Sequence, residues 1–251
     1  MKIGDRRGEF SLTPQAFDNH CQEARVLARK QGRPSVLVHE DGSGRRVVTK
    51  VFYPRRSWPK GWLWPHSERF RRMLRELAVR GIAVPVERAA GRVTGTDIRV
   101  VTYEWLDGVD LRALGRQLPR REFAAFVADL HALGVYCRGL HLGNVVALFE
   151  GGFGLLDVTD PRLLDRPLPL RMRARNLGIL CAHPEDVAVF EHGSWSDLVM
   201  EYCRAAGLSV AATARLRDRV RTELVRRSIR RQRTAGLGTS PLIGELSGRE
   251  R

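Results

Sequence analysis

Two apolar runs, VVALF and FGLLD, flank the tripeptide EGG at 150–152 and constrain the fold more than any other stretch of this sequence. A short, glycine-containing connection between two apolar runs predicts a β-hairpin. If the strands close around this tripeptide, Phe149 pairs with Phe153 and Val145 pairs with Asp157. The sequence therefore predicts a hairpin with a carboxylate at its open end.

Asn144 precedes the first of these strands and is expected beside Asp157, because cross-strand neighbours lie about 5 Å apart. An amide oxygen and a carboxylate at this spacing can share a hard cation. Mg²⁺ typically takes one or two carboxylates from a protein and completes its coordination with phosphate oxygens and water. The alternative is an ordinary hairpin whose open end happens to carry polar residues.

The composition is that of a globular protein, since 43% of the 251 residues are hydrophobic. No stretch reaches the roughly 18 uncharged apolar residues that a membrane span requires, and the first residues lack the apolar core of a secretory signal. The four cysteines are scattered without a CxxC pair, which favours reduced thiols over disulfides or a zinc site. The sequence therefore predicts a cytoplasmic chain.

The chain is strongly basic, with a formal net charge of +15. Such a charge attracts anionic partners, which include the inner-leaflet membrane surface, a phosphorylated glycolipid and nucleic acid. The segment YPRRSWPKGWLWP and the arginine-rich stretch at 215–233 suit a membrane interface, with inter-lobe packing and a solvated face as the alternatives. No nucleic-acid-binding module is recognisable, so nucleic acid is not the expected partner.

The order of elements predicts an α+β chain with two lobes. Residues 24–52 contain three β-branched runs separated by Gly and Pro, and HSERFRRMLRELAVRG then carries apolar residues at helical spacing before two more strand-like runs. After residue 110 the periodicity is mainly helical. We therefore expect a mainly β N-lobe with one helix at 1–105, a mainly α C-lobe at 106–235 and a flexible basic tail at 236–251.

The segment CRGLHLGN (137–144), called the kinase-like loop below, matches part of the protein-kinase catalytic loop H-R-D-L-x-x-x-N. Arg138 and Asn144 occupy the positions of the loop's Arg and terminal Asn. In kinases a metal-binding Asp follows this loop after a hairpin, and Asp157 is in that position. Gly139 stands where the kinase pattern has the catalytic Asp.

Two upstream segments follow the same pattern in the same order. VVTKVF resembles the strand that carries the phosphate-contacting lysine, which assigns Lys50 to that role. VVTYEWLDGVDLRAL resembles the strand and hinge that border an adenine pocket, with Tyr103, Glu104 and Trp105 near the base. Each segment alone is weakly specific, but the ordered set indicates a nucleotide-dependent phosphotransferase.

The chain resembles the lipopolysaccharide kinase family of Kdo and heptose kinases, and in particular the subset labelled toluene tolerance proteins. LHALGVYCRGLHLGNVV and GLLDVTDPR carry the resemblance most strongly, and it extends over roughly residues 20–200. The family implies a protein-kinase-like fold, ATP and Mg²⁺ as cofactors, and phosphorylation of a sugar in the lipopolysaccharide inner core. A glycolipid or sugar at the inner face of the membrane is thus the implied acceptor.

The resemblance also implies roles for single residues. Lys50 would contact the α- and β-phosphates, and Asn144 with Asp157 would hold Mg²⁺. Arg138 would have a structural role in the kinase-like loop.

Two further expected elements are weaker. KQGRPS stands where a glycine-rich phosphate loop would be, and Gly32 and Ser35 could approach phosphate through backbone N–H groups; a plain hairpin turn is the alternative. The glutamate expected to pair with Lys50 is Glu68, with Glu76 as the other candidate on the same helix and a solvated helix charge as the alternative.

Gly139 removes the group that would orient the acceptor hydroxyl and take its proton, a contribution of typically ~10²- to 10⁴-fold. His141 is the expected substitute at the acceptor side, because an imidazole can exchange a proton near neutral pH; a loop histidine bonded to backbone is the alternative. Asp160 is a second candidate, with a cap or turn before Pro161 as its alternative. Without a substitute, the chain would be a nucleotide-binding pseudokinase that acts as an adaptor at the membrane.

Overall fold

The computed structural model describes residues 9–54, 65–190 and 194–235. Most of the tryptophan-rich segment and all of the C-terminal tail lie outside these residues. The chain divides into two compact units, Met1–Leu106 and Asp107–Arg251. Within the described part, no helix combines the length and the apolar character that crossing a membrane requires.

The described part of the first unit contains a six-stranded sheet. Its strands are β1 (Glu9–Leu12), β2 (Arg25–Lys30), β3 (Arg33–Glu40), β4 (Arg46–Phe52), β5 (Glu87–Val93) and β6 (Arg99–Glu104). The order across the sheet is β1-β5-β6-β4-β3-β2, in which β1 and β5 run parallel and the other neighbours are antiparallel. Two helices accompany the sheet: α1 (Pro14–Glu23) and α2 (His66–Val79).

The two helices of this unit differ in whether an apolar stripe in the sequence predicts them. In α2 the predicted apolar stripe is buried, with Phe70 and Leu77 fully inaccessible. In α1 only Phe17 is buried, so the helix lacks a stripe, and it begins at a cap in which Thr13 Oγ1 accepts the N–H of Ala16 at 3.2 Å. Helix α1 was not expected from the sequence.

The second unit is mainly helical. Its helices are α3 (Leu111–Leu114), α4 (Arg120–Ala132), α5 (Leu170–Cys181), α6 (Ser194–Ala205) and α7 (Val210–Ala235). Its short strands are β7 (Gly108–Asp110), β8 (Val135–Cys137), β9 (Val145–Leu148), β10 (Phe153–Leu155) and β11 (Pro161–Leu163). β9 lies between β7 and β10, and β8 pairs with β11. The predicted α+β class, with a β-rich first part and a helical second part, is therefore confirmed.

A buried histidine connects the helices of the second unit to the start of the kinase-like loop. Nδ1 of His131 lies 2.8 Å from the Tyr202 hydroxyl, and Nε2 lies 3.1 Å from Oδ1 of Asn176. Nδ2 of Asn176 in turn donates to the Cys137 carbonyl at 2.6 Å. Burial lowers the pKa of His131 to about 4, so the ring is neutral at neutral pH. The end of β8 is thus attached to the helical core.

Candidate functional site

The predicted hairpin forms, but its register differs by two residues from the expected one. Val145 pairs with Leu155 and not with Asp157. The N–H of Leu148 donates to the Gly152 carbonyl at 3.1 Å, so these two residues are opposite and the three-residue turn, 149–151, starts one residue earlier than expected. Gly151 and Gly152 adopt positive φ, at 97° and 78°. Since side chains alternate with a period of two, a register shift of two residues leaves every side chain of the hairpin on its expected face. Asn144 still adjoins the end of the second strand.

Asn144 and Asp157 lie together at the base of the hairpin. The Asn144 carbonyl accepts the N–H of Leu156 at 2.9 Å, so Asp157 directly follows the residue bonded to Asn144. Nδ2 of Asn144 donates to the Gly139 carbonyl at 2.8 Å. Oδ1 of Asp157 accepts the backbone N–H of Thr159 at 3.0 Å and its hydroxyl at 2.6 Å. Both side chains are therefore oriented by neighbouring backbone.

The chemistry of this pair fits Mg²⁺. Asn144 uses its amide nitrogen on the loop, which leaves the amide oxygen on the opposite side of the group. Asp157 is an exposed residue that offers a carboxylate. A small number of oxygen ligands, supplemented by phosphate and water, is what Mg²⁺ takes from proteins.

Gly139 has space for a Cβ atom. Its φ is not among the positive values that favour glycine, and a Cβ built there would meet only Nδ2 of Asn144, at 3.5 Å. That distance is an ordinary van der Waals contact. The backbone of the kinase-like loop therefore does not require glycine at this position.

Arg138 is exposed and connects the kinase-like loop to the segment that follows Asp157. Its Nε donates to the Asp160 carbonyl at 3.1 Å. The structural role expected for Arg138 stays a prediction. The side chain of Asp160 is exposed.

Three residues that the sequence did not reveal surround His141. The ring of His141 stacks on His183, with centroids 4.2 Å apart and planes 23° apart, and its Nδ1 lies 3.1 Å from Nη2 of Arg112. Asp186, which is fully buried, accepts the N–H of Leu142 at 2.7 Å and Nε of Arg112 at 2.6 Å. In the sequence, only the short HPED segment hints at a polar turn there.

Lys50 lies in the middle of β4, where the sequence predicts it, paired with Val36 of β3 and Val101 of β6. Its side chain is half-buried. Nζ lies 4.6 Å from the ring centroid of Phe70 and 5.8 Å from that of Phe52. A cation at this distance from an aromatic face is attracted to the ring, so α2 contributes an aromatic contact to Lys50.

Glu68, the residue expected to pair with Lys50, takes part in an arginine-centred cluster. Nη1 of Arg71 lies 3.2 Å from Oε1 of Glu68, and Nε of Arg71 donates to Glu87 at 2.5 Å. Arg71 is buried, so this cluster joins α2 to β5. Glu76 pairs with Arg80 on its own helix, at 3.3 Å.

The segment KQGRPS forms the tight turn between β2 and β3. Lys30 pairs with Arg33, and the two residues between them have positive φ, 51° at Gln31 and 76° at Gly32. Two consecutive positive φ values are typical of a type I′ hairpin turn. The hairpin-turn alternative therefore accounts for Gly32.

The predicted adenine-side residues occupy the end of β6. Tyr103 is buried in the core of the first unit. Glu104 accepts Nε of Arg88 at 3.3 Å, and the guanidinium of Arg46 lies 4.8 Å from the Trp105 ring. The side chains of Glu104 and Trp105 are thus contacted by arginines, whereas Tyr103 packs inward.

The described elements follow the order that the sequence predicts: a lysine-bearing strand, a helix and two strands, and later in the chain the kinase-like loop and a hairpin. No family model matches the sequence, and no curated protein matches it. The solved structures similar to this chain include the apo GRMZM2G135359 pseudokinase, at 11% identity and a TM-score of 0.43, over 88% of this chain and 99% of that one. They also include Rv3197 from Mycobacterium tuberculosis with erythromycin, at 16% identity and a TM-score of 0.39. That match covers 68% of this chain and 55% of the other.

Proposed function

We propose that this chain is an ATP- and Mg²⁺-dependent phosphotransferase that phosphorylates an alcohol group. The observation that carries the proposal is the base of the hairpin, where Asn144 and Asp157 are neighbours directly after a loop with the kinase pattern. Lys50, at the middle of a central strand of the first unit, supports it as the phosphate-contacting cation.

In this proposal the oxygens of Asn144 and Asp157 hold Mg²⁺, which supplies charge neutralisation at the phosphates. Lys50 contacts the α- and β-phosphates, and Arg138 keeps the kinase-like loop in place. Phosphoryl transfer depends mostly on positioning and charge stabilisation, so these residues support it without a general base. The absence of a carboxylate at Gly139 lowers the rate by ~10²- to 10⁴-fold.

A sugar hydroxyl of the lipopolysaccharide inner core is the proposed acceptor, on the strength of the family resemblance. Such an acceptor would lie at the inner leaflet, and α7 offers a basic surface for docking there from the cytoplasm. Exposed arginines recur along one face of α7 at Arg215, Arg219, Arg226 and Arg230. Each cation near an anionic leaflet contributes about 1 kcal/mol to such an association.

Transfer of radiolabelled phosphate from ATP to purified core oligosaccharide tests this function. Asp157→Asn should reduce transfer to background, because a neutral amide compensates less of the metal's charge. Asp129→Asn is the matched control, since it removes an exposed carboxylate of α4 and should leave transfer unchanged. Undiminished transfer by the Asp157→Asn protein would overturn the proposal.

A nucleotide-binding pseudokinase that acts as an adaptor at the membrane is the second candidate, and Gly139 favours it. ATP with Mg²⁺ at about 100 times Kd would then raise the free energy of unfolding by about 2.7 kcal/mol, with no label transferred to any acceptor in a cell-envelope extract. Transfer that is lost in Lys50→Met but kept in Lys30→Met would exclude this candidate.

A further inference from the structure

Arg112 lies across the kinase-like loop and is bound at three of its nitrogens. Nε donates to Asp186 at 2.6 Å, Nη1 donates to Glu185, and Nη2 lies 3.1 Å from Nδ1 of His141. A Cβ at Gly143 would come within 2.8 Å of the guanidinium carbon, so glycine there allows the close approach. The guanidinium is thus fixed by a buried acid, an exposed acid and the loop.

The contact between Arg112 and His141 decides which nitrogen of the imidazole carries the proton. A guanidinium has five N–H donors and no acceptor, and it stays charged in proteins. Nδ1 of His141 must therefore accept the hydrogen bond. The proton of the neutral ring then resides on Nε2.

We propose that Arg112 is a positioning residue that fixes His141 as the Nε2–H tautomer, so that His141 donates a hydrogen bond to a phosphoryl oxygen and does not take the acceptor's proton. This inference rests on the proposed phosphotransfer function. It replaces the expectation that His141 is the substitute base. His141 is partly exposed and lies three residues before Asn144, which suits a contact near the phosphates.

A role as base conflicts with the geometry of this cluster. Protonated His141 would direct an Nδ1–H at the N–H of Arg112 across 3.1 Å and would place a second positive charge there. The surroundings act in the same direction: burial lowers the pKa of His141 most, followed by His183, and Arg112 lowers it further, whereas Asp186 and Glu185 oppose the shift. The ring therefore remains neutral and keeps its donor on Nε2.

A metal site is the other use that these groups suggest. His141, His183 and Asp186 offer ligand atoms within 4.8 Å of one another. Arg112, however, donates to Asp186 and to His141, so a cation would have to displace a guanidinium from both. Asp186 additionally accepts the N–H of Leu142, and this bond commits it to the loop. We therefore expect no shift in melting temperature when Zn²⁺ is added.

Nitrogen-15 NMR of the full chain with labelled histidine tests the tautomer directly at neutral pH. His141 should show a protonated Nε2 and an unprotonated Nδ1, with its signals assigned by their loss in His141→Gln. Arg112→Met removes the donor and should shift His141 toward a mixture of tautomers. A protonated Nδ1 in the unmodified chain would overturn the inference, whatever the enzymatic activity.

Substitutions at His141 test the donor role. His141→Ala should lower kcat for phosphate transfer about 10- to 100-fold, the range expected for a lost hydrogen bond to a charged group, whereas His141→Gln retains an N–H donor and should recover most of that loss. A base could not be replaced by an amide, so equal losses in the two variants would refute a donor role.

The two proposals fail in distinguishable ways. If the unmodified chain neither binds ATP with Mg²⁺ in calorimetry nor transfers phosphate, the proposed function is wrong, and the phosphoryl oxygen as the recipient of the hydrogen bond is wrong with it. The nitrogen spectrum would still decide whether Arg112 fixes the tautomer of His141. Conversely, transfer by a chain whose His141 carries its proton on Nδ1 would retain the function and reject the inference.

Discussion

The candidate residues divide into two halves, one in each unit, and the two halves are fixed by different kinds of contact. In the second unit the kinase-like loop is bound by directional hydrogen bonds to buried polar groups, chiefly Asp186, which accepts from Leu142 and from an arginine. In the first unit the contacts of Lys50 include the ring of Phe70, 4.6 Å from its Nζ. Hydrogen bonds specify direction, whereas a ring face tolerates a range of cation positions. The hydrogen bonds of the loop therefore fix direction more strictly than the aromatic contact of Lys50 does.

Restoring a carboxylate to the more strictly organised half should have the largest effect. Gly139→Asp should raise phosphate transfer by ~10²- to 10⁴-fold, because a Cβ fits at this position and Asp can orient the acceptor hydroxyl. The rate is measured with labelled ATP and core oligosaccharide. Gly139→Asn is the control of equal size without a base; equal rates in the two variants would contradict an acceptor-side position for residue 139.

Removing the buried carboxylate of Asp186, in the same half, should lower the free energy of unfolding the most. Asp186→Ala leaves the N–H of Leu142 and the Nε–H of Arg112 without their acceptor, and breaking a buried pair costs about 3–5 kcal/mol. Urea unfolding followed by circular dichroism measures this loss. Asp129→Asn on the exposed face of α4 should change the free energy of unfolding by less than about 0.5 kcal/mol. A similarly small effect for Asp186→Ala would mean that the loop is fixed by other contacts.

Buried His131, which lies next to the start of the kinase-like loop, should make the free energy of unfolding depend on pH. Because the pKa of His131 is lowered to about 4 from an ordinary value of 6.5, the unfolded chain binds a proton between these pH values that the folded chain does not. Stability should therefore fall as pH falls through this window, by about 3 kcal/mol from this group. In His131→Gln the difference in unfolding free energy between pH 7 and pH 4 should be smaller by that amount, and an unchanged difference would contradict the assignment.

Of the contacts that these variants test, the one between Lys50 and the ring of Phe70 should contribute the least free energy. A double-mutant cycle of Lys50→Met with Phe70→Leu should give a coupling of about 0.5–1 kcal/mol in unfolding free energy, as expected for a cation beside a ring. The matched cycle of Lys30→Met with Phe70→Leu should give less than about 0.5 kcal/mol, because Lys30 is at the end of β2. Coupling of several kcal/mol at Lys50 would show that this half is held as strictly as the loop.

Features determined by local sequence were predictable. The two apolar runs and the glycines between them predicted the hairpin, and its period of two placed Asn144 near Asp157 even though the turn starts one residue earlier than expected. The register itself was not predictable, because the pattern does not show which three of the residues at 149–152 form the turn.

Features that depend on contacts between distant segments were not predictable. The proton position on His141 is decided by Arg112 in α3 and by the acids that hold it, none of which has a fixed spacing to the kinase-like loop. The same reason explains why the partner of Glu68 was not predictable: the packing of α2 on β5 decides which nearby cation it contacts. Tyr103 was correctly placed on a strand, but the sequence did not show that its ring faces the core.

The space beside Gly139 has a consequence for how such a chain can change over generations. Glycine codons ending in a pyrimidine become aspartate codons through one base change, and a Cβ at this position would meet only Nδ2 of Asn144, at an ordinary van der Waals distance. Gain or loss of the carboxylate is therefore a short, reversible mutational step that leaves the fold intact. Under the proposed function, a lineage with this loop could alternate between catalysis and binding without losing the framework that serves both.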